Sequence, residues 1–340
     1  MSTEPEKTQP DFMLDVPQVD PFGHRSDTVS AANPIADLSY RNYTGPLNSH
    51  TFRWWVVALA GIRAARQKKG FWAIAGVSVL PYLFSLIGLY LQSRMPVNVN
   101  NPITNNTVGQ KYASSFFQLT DFNLFMMFVM TLMVGSGSIS ADNRSNALLV
   151  YLSKPLTKVD YLIGKWMGIF TTLFAVALAP ALILYIYCIM TFWSDGIFHQ
   201  EPWLLTRVLL ACALPAALHA SLMVGFSAWC KTPRVAGAIY AGFYFFSGIV
   251  SGIIWMIRTH GNMSEQVLLR HISVSGLMRG MVQNVYNVTD KVTSFGSGMP
   301  SITDISAPSA KGVFLISLIV GGIGIMAARA RIRAVEVVTG

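Results

Sequence analysis

Charged side chains are scarce in this sequence: of its 340 residues, Asp, Glu, Lys and Arg together make up 12%. Soluble domains carry roughly 25% charged residues, so the composition excludes an ordinary water-soluble globular protein. Hydrophobic residues account for 52% of the chain, and the mean hydropathy is +0.46. These values are typical of an integral membrane protein.

Acidic residues and cysteines are also few, with 16 Asp and Glu against 25 Lys and Arg, and three cysteines. The net charge of +9 raises nucleic acid as a partner. The basic residues flank apolar runs instead of forming one basic face, however, so we expect the lipid bilayer and no nucleic acid as a partner. Cys188, Cys212 and Cys230 lie in apolar runs without metal-ligand spacing, which predicts packing thiols and no metal site.

The apolar runs contain no Asp, Glu or Lys. Carriers driven by protons or ions commonly hold ionisable groups at membrane depth, so this absence weighs against an ATP-independent carrier. A Walker A motif is missing too, since "IGKW" lacks the earlier glycine and the Ser/Thr of that motif. If ATP supplies the energy, another subunit binds it. We therefore expect no enzyme activity and no cofactor in this chain.

His219 lies near the middle of an apolar run. It is a possible pathway residue, and the alternative is a hydrogen-bonded group that packs between helices. Met126, Met130 and Met133 share one helical face, and thioethers are soft ligands for Cu(I). Methionine also fills gaps at helix contacts, and no His or Cys joins this stripe, so the packing interpretation is favoured there.

Six apolar runs approach the roughly 20 residues that a membrane-spanning helix needs. They predict an all-α, polytopic membrane protein with spans at about Phe71–Leu91, Phe122–Ile139, Met167–Phe192, Val208–Trp229, Val235–Ile257 and Val313–Ala328. The small-residue runs "VGSGSIS" and "GGIGIMAA" in the second and sixth spans would let neighbouring helices approach closely.

Three segments outside the spans have distinct patterns. Residues 1–50 are polar and rich in proline, without a signal peptide, and predict a disordered cytoplasmic tail. Residues 52–69 predict a helix lying in the membrane interface, with two tryptophans and a basic polar side. The loop 258–311 contains "VSGLMRGMVQNVY", an amphipathic helix capped by Ser275, which either covers a pathway as a lid or packs on the ends of the spans.

Basic residues concentrate in alternate short connections: before the first span, between the second and third, between the fourth and fifth, and after the sixth. Connections rich in Lys and Arg face the cytoplasm. Both termini are therefore predicted to be cytoplasmic, and the loop 258–311 is predicted to lie outside.

The stretch "SADNRSNALLVYLSKPLTKVDYLIGKW", residues 140–166, carries six charged residues between two apolar runs. A short helix is predicted to open at Asp142 and run to about Leu152, where Pro155 prevents its continuation. Thr157 and Asp160 predict a capping box for a second helix that enters the third span. A short helix held below the membrane by two spans is suited to transmitting force from a soluble partner. The alternative is a polar connector.

This stretch resembles the signature of the type-2 ABC transporter permeases, which are typically bacterial export subunits. The resemblance is carried by the acidic and basic opening, the segment "ALLVYLS", Pro155, Tyr161, and Gly164 with Lys165. Asn146 departs from the pattern, because many relatives carry glycine there. The resemblance extends over about residues 38–333 and includes the interfacial helix, the six spans and the outer helical loop.

The resemblance implies that the loop 140–166 contacts an ATPase subunit, which binds ATP and Mg²⁺. It implies an ATPase-coupling site made of Asp142, Arg144, Leu148, Leu149, Tyr151, Leu152, Pro155, Gly164 and Lys165. Residues 51–340 would form one six-span permease domain in the bacterial inner membrane, paired with a second permease chain, identical or homologous. Substrate would pass between the two permeases. The alternative from another class is a membrane anchor or assembly factor without transport.

Overall fold

The computed structural model describes residues 53–94, 108–145, 147, 157–193, 199, 201–258, 271–288, 290–296, 299–305 and 308–332. The predicted tail, residues 1–50, lies outside these ranges. So does most of the segment between residues 146 and 156.

Six helices in the described residues are long and apolar enough to cross a membrane. They are α2 (Lys69–Arg94), α3 (Val108–Gly135), α5 (Lys158–Phe192), α6 (Leu204–Trp229), α7 (Pro233–Arg258) and α9 (Ala310–Arg331). The prediction of an all-α polytopic membrane protein with six spans is confirmed. Three shorter helices also lie in the described part of the chain: α1 (Arg53–Arg66), α4 (Ser140–Arg144) and α8 (Val274–Tyr286).

The second span is longer than predicted. The expected start was Phe122, whereas α3 begins at Val108. Polar residues obscured this first half of the helix, but two of them meet side chains of α8: the buried Thr120 hydroxyl lies 3.4 Å from the Tyr286 hydroxyl, and Asp121 forms an ion pair of 3.3 Å with Arg279. Polar side chains that find partners between helices do not interrupt a span.

The central helix of the described residues is α6, which contacts α3, α4, α5, α7, α8 and α9 and is mostly buried, whereas α2 and α7 are mostly exposed. Both small-residue runs pack against it, as predicted. A Cβ added to Gly324 of α9 would lie 2.6 Å from the Ser221 carbonyl oxygen of α6, and one added to Gly135 would lie 2.5 Å from Cγ of Met223. These glycines allow the close contacts that centre the bundle on α6.

The helix predicted at residues 52–69 is present as α1, which ends at Arg66, before the start of α2. It packs along the first part of α5. Its place in the membrane interface stays a prediction.

The loop between α7 and α9 contains the predicted amphipathic helix as α8, but its cap was assigned to the wrong serine. Ser273 has an extended backbone, and its hydroxyl accepts a hydrogen bond of 3.0 Å from the Gly276 N–H. Ser275 is already helical, so it is not the N-cap. The apolar side of α8 is buried against α3, α6 and α9, which supports the alternative that it packs on the ends of the spans.

An antiparallel hairpin follows α8 and was not predicted. Its strands are β1 (Asp290–Gly296) and β2 (Met299–Ile305), with Asp290 opposite Ile305. It adds two short strands to the loop and leaves the helical architecture of the spans unchanged.

Candidate functional site

The second span ends in a turn, at residues 136–139, which joins α3 to α4. The Ser227 hydroxyl of α6 accepts hydrogen bonds of 3.0 Å from the backbone N–H groups of Ile139 and Ser140, and it donates one of 2.9 Å to the Ser136 carbonyl. Helix ends leave such backbone groups without helical partners. One buried hydroxyl therefore satisfies three of them and attaches the turn to the central helix.

A second contact attaches α4 itself to the same helix. The Asn143 side-chain amide donates a hydrogen bond of 3.1 Å to the carbonyl of Ala228, next to Ser227. The short helix is thus held at its start and along its length by the last turn of α6.

The start of α5 has the predicted capping box. The Thr157 hydroxyl accepts a hydrogen bond of 3.1 Å from the Asp160 N–H, and the Asp160 carboxylate accepts one of 3.3 Å from the Thr157 N–H. From there α5 continues without a break through the third span to Phe192. The first turn of α5 and the third span are therefore parts of one continuous helix.

Asp142 of α4 meets two side chains of α5. The Lys165 ammonium lies 2.7 Å from Asp142 Oδ2, and the Tyr161 hydroxyl donates a hydrogen bond of 2.6 Å to the same oxygen. Both side chains of the ion pair are 15% exposed. Hydrogen bonds that involve an ionised group are stronger than those between neutral groups, so this carboxylate firmly joins α4 to the base of the third span.

Gly164 lies where α1 crosses α5. A Cβ at this position would be 2.6 Å from both the Trp54 carbonyl oxygen and Val57 Cβ. One turn further along, a Cβ on Gly168 would lie 3.1 Å from the Ala58 carbonyl oxygen. The two glycines allow the α1 backbone to lie directly on α5, so Gly164 has a packing role beside its predicted membership of the coupling site.

The remaining predicted coupling residues are placed only in part. α4 begins at Ser140, two residues before the predicted start at Asp142, because the turn bound by Ser227 ends there. Arg144 is exposed at the end of α4. Five predicted residues lie outside the described part of the chain, and their roles stay predictions: Leu148, Leu149, Tyr151, Leu152 and Pro155.

His219 is fully buried in the middle of α6. Its Nδ1 lies 2.6 Å from the Tyr240 hydroxyl of α7, and its ring lies beside the stacked rings of Phe128 and Tyr244, with centroid distances of 6.5 and 6.3 Å. This environment supports the interpretation as a group that packs between helices. Its role in a pathway is untested.

The methionine stripe and the cysteines lie in apolar surroundings. Met130 is buried in the core, while Met126 and Met133 are half-buried. Cys188, Cys212 and Cys230 are buried free thiols. The described residues hold no group of three or more His, Cys, Asp or Glu that is suited to a metal ion.

Two side chains that the sequence analysis did not single out belong to this region. Ser227 sits among other small residues of a span, where no pattern distinguishes it. Lys68 is one of several basic residues before the first span, and its ammonium donates a hydrogen bond of 2.7 Å to the Met133 carbonyl near the end of α3.

These features define a multi-pass membrane protein in which three helices, α1, α4 and α5, are joined at one end of the spans. Residues 26–328 match the family described as ABC-2 family transporter protein, and the chain belongs to that family. It is therefore a membrane permease of an ABC transporter, a transport subunit and not itself catalytic, and the family implies an ATPase partner. No curated protein matches the chain.

Proposed function

We propose that this permease is the transmembrane subunit of an ABC exporter, and that a separate ATPase subunit docks on α4 and the residues that follow it as far as Pro155. The attachment of α4 carries the proposal. This short helix is joined to α6 through Ser227 and to α5 through Asp142. A partner that displaced α4 would displace the ends of two spans with it.

The path of the load follows from these contacts. Closure of the ATPases on ATP would press on α4, and the ion pair with Lys165 would transfer that load to α5. The crossing at Gly164 extends it to α1. The three elements would then rock together and alternate the access of the cargo between the two sides of the membrane.

The proposed assembly contains two permease chains, identical or homologous, and two ATPases. The exposed sides of α2 and α7 offer apolar surface to a second permease and to lipid, with exposed side chains such as Phe84, Phe246 and Ile249. Cargo would pass between the two permeases. The bacterial inner membrane, with both termini in the cytoplasm, is the proposed location, because the basic connections lie on that side.

A photo-crosslinking amino acid at Arg144 tests the docking directly. Arg144 is exposed on α4, and Ser309, exposed before α9 near the opposite ends of the spans, is the matched control position. The expected result is capture of a subunit that carries a Walker A sequence from position 144 and not from position 309. Equal capture at both positions, or none at 144 while ATPase and permease copurify, would contradict the docking site.

Stimulation of ATP hydrolysis separates transport from the alternative of an anchor or assembly factor. An exporter complex hydrolyses ATP faster when its cargo is present, because cargo and nucleotide bias the same movement. An anchor would hold the ATPase without such a response. ATP hydrolysis by the purified permease chain without any ATPase subunit would fit neither an exporter permease nor an anchor, and it would overturn the proposal.

A further inference from the structure

A cavity of about 420 Å³ lies beside the Asp142–Lys165 ion pair. It is bounded by α1, the turn between α3 and α4, the first part of α5 and the start of α7, and eight of its 17 lining residues are glycine or alanine. Small wall residues leave room there for a group that this chain does not supply. The cavity lies within one chain, so it is separate from the proposed pathway between two permeases.

Two lysines and one carboxylate line the cavity: Lys68, Lys165 and Asp142. Asp142 already binds both Lys165 and the Tyr161 hydroxyl, so its charge is offset within the site. The Lys68 ammonium instead donates its hydrogen bond to the Met133 carbonyl, which is neutral and does not offset the charge. Partial burial lowers the pKa of Lys68, because it disfavours the charged ammonium. An anion in the cavity would complement this charge.

A buried hydroxyl adds a polar group to the same wall. Ser138 lines the cavity, and its Oγ is buried without a hydrogen-bond partner among the described residues. A buried polar group without a partner costs about 1–3 kcal/mol. The Ser138 hydroxyl without a hydrogen-bond partner in the described part of the chain therefore indicates that a ligand binds in the cavity. A hydroxyl donates to phosphate oxygens as an ammonium does.

The position of the cavity indicates where the ligand comes from. Lys68 immediately precedes the first membrane-crossing helix, and Asp142 lies close to the end of the second. The cavity is therefore at the edge of the membrane, at the level of lipid headgroups. Further basic residues lie next in the sequence to residues of its wall: Arg66 and Lys69 near Lys68, and Lys231 and Arg234 near Pro233. Basic pockets between spans at this level bind the headgroups of anionic lipids.

We propose that this cavity binds the phosphate of an anionic phospholipid, with Lys68 as its main cationic partner and Ser138 as a hydrogen-bond donor. The lipid is a resident ligand and not the cargo. It would connect the α1–α2 junction, where Lys68 lies, to the turn before α4. Free phosphate has the same chemistry, but the place of the site at the membrane edge favours the lipid.

The test titrates the purified full-length chain, in neutral detergent at 0.3 M salt, with short-chain phosphatidylglycerol. Binding is followed as the rise in the thermal unfolding temperature. Phosphatidylcholine and inorganic phosphate are titrated in parallel. The variants are Lys68→Met, the charge-conserving Lys68→Arg, and Lys69→Met as the matched control, since Lys69 is the neighbouring lysine and does not line the cavity. High salt screens exposed charges far more than those in a cavity.

The expected result is saturable binding of phosphatidylglycerol that Lys68→Met weakens about tenfold or more, while Lys69→Met and Lys68→Arg bind within about twofold of the unmodified chain. Phosphatidylcholine and inorganic phosphate should bind much more weakly. Equal effects of Lys68→Met and Lys69→Met, or equal binding of phosphatidylcholine, would overturn the site. Binding of inorganic phosphate with the Lys68 dependence, but without binding of phosphatidylglycerol, would overturn the lipid as ligand.

A second variant, which keeps all the charges, tests the cavity independently if Lys68→Met does not fold. Ala64→Leu adds volume to the cavity wall at an exposed helical position of α1. We expect it to weaken phosphatidylglycerol binding while the lipid-free unfolding temperature changes little. Full binding by Ala64→Leu would exclude this cavity as the lipid site, whatever the behaviour of the lysine variants.

Discussion

Asp142 and Lys165 form an ion pair with 2.7 Å between Oδ2 and Nζ, and they join the short helix after the second span to the base of the third. Tyr161 donates a hydrogen bond to the same carboxylate oxygen. The pair is mostly shielded from solvent, so the removal of one partner leaves an unpaired charge and costs more than the loss of an exposed ion pair. It makes α4 a part of the third span's base instead of a free connector, which is the property that force transmission requires.

The first prediction concerns this pair. Lys165→Met leaves the Asp142 carboxylate without its cation, and Asp142→Asn removes the charge but keeps the shape. We expect each single change to lower the free energy of unfolding. The double variant should lose less than the sum of the two single losses, with an interaction free energy of about 1–3 kcal/mol. The measurement is a double-mutant cycle of thermal unfolding in detergent. Arg144→Met is the control, because an exposed charge is worth only about 0–1 kcal/mol.

Function should respond to the same variants in a different way. The ATPase is expected to copurify with Asp142→Asn, since the Asp142 side chain contacts α5 and asparagine keeps its shape, while hydrolysis becomes less responsive to cargo. Additive effects in the stability cycle, together with an unchanged response to cargo, would show that the pair transmits no load.

The second prediction concerns Ser227, whose hydroxyl satisfies three backbone groups of the turn before α4. Ser227→Ala leaves them without this partner in a buried place, which costs about 1–3 kcal/mol. We expect a lower unfolding temperature. Thr172→Val is the control, because the Thr172 hydroxyl bonds only to the Gly168 carbonyl within its own helix. Equal losses in the two variants would mean that the turn does not depend on Ser227.

The third prediction concerns the contact of α1 with α5. A Cβ at Gly164 would lie 2.6 Å from the Trp54 carbonyl oxygen, a backbone atom that moves only if α1 moves. Gly164→Ala should therefore cost about 1–3 kcal/mol of stability. Gly76→Ala is the matched control, since a Cβ there meets nothing within 4 Å, and it should be neutral or stabilising by up to about 1 kcal/mol. Thermal unfolding measures both, and an unaffected Gly164→Ala would exclude the close crossing.

The fourth prediction is the orientation in the membrane. Cysteines introduced at Asp195 and Ser297 should react with a membrane-impermeant reagent in intact cells, because both positions lie in connections predicted to face outside. A cysteine at Thr232, in the basic connection between α6 and α7, should be protected until the cells are opened. Labelling at Thr232 with protection of the other two would reverse the orientation.

The spans and the capping box of α5 were predictable because their causes are local. A membrane demands long apolar helices, and a capping box needs only Thr157 and Asp160, three residues apart. The first half of α3 was missed for the opposite reason. Its polar residues Thr120 and Asp121 meet Tyr286 and Arg279 of another helix, and a sequence pattern does not show which polar residues will find such partners.

The candidate site was predictable in part. The signature placed Asp142, Gly164 and Lys165 in one functional stretch, and the structure brings them together at the meeting point of α1, α4 and α5. It did not reveal that Asp142 binds Lys165, that Gly164 lies against α1, or that Ser227 holds the turn. Those contacts depend on how the helices pack around α6, which is a property of the whole fold.

The fifth prediction tests the central claim, that a separate ATPase drives this permease through the residues after the second span. The chain alone should hydrolyse no ATP, and hydrolysis should appear with the ATPase subunit. Leu148, Leu149, Tyr151 and Leu152 are each changed to Asp, because a charge buried without a partner in the predicted apolar contact costs several kcal/mol.

The decisive measurement is ATPase copurification and cargo-stimulated hydrolysis for each Asp variant, at matched levels in the membrane. We expect at least one position to lose ATPase binding, or to keep binding while losing stimulation, with normal membrane insertion. Wild-type binding, hydrolysis and transport in all four variants would contradict the account and leave residues 140–166 as a simple connector.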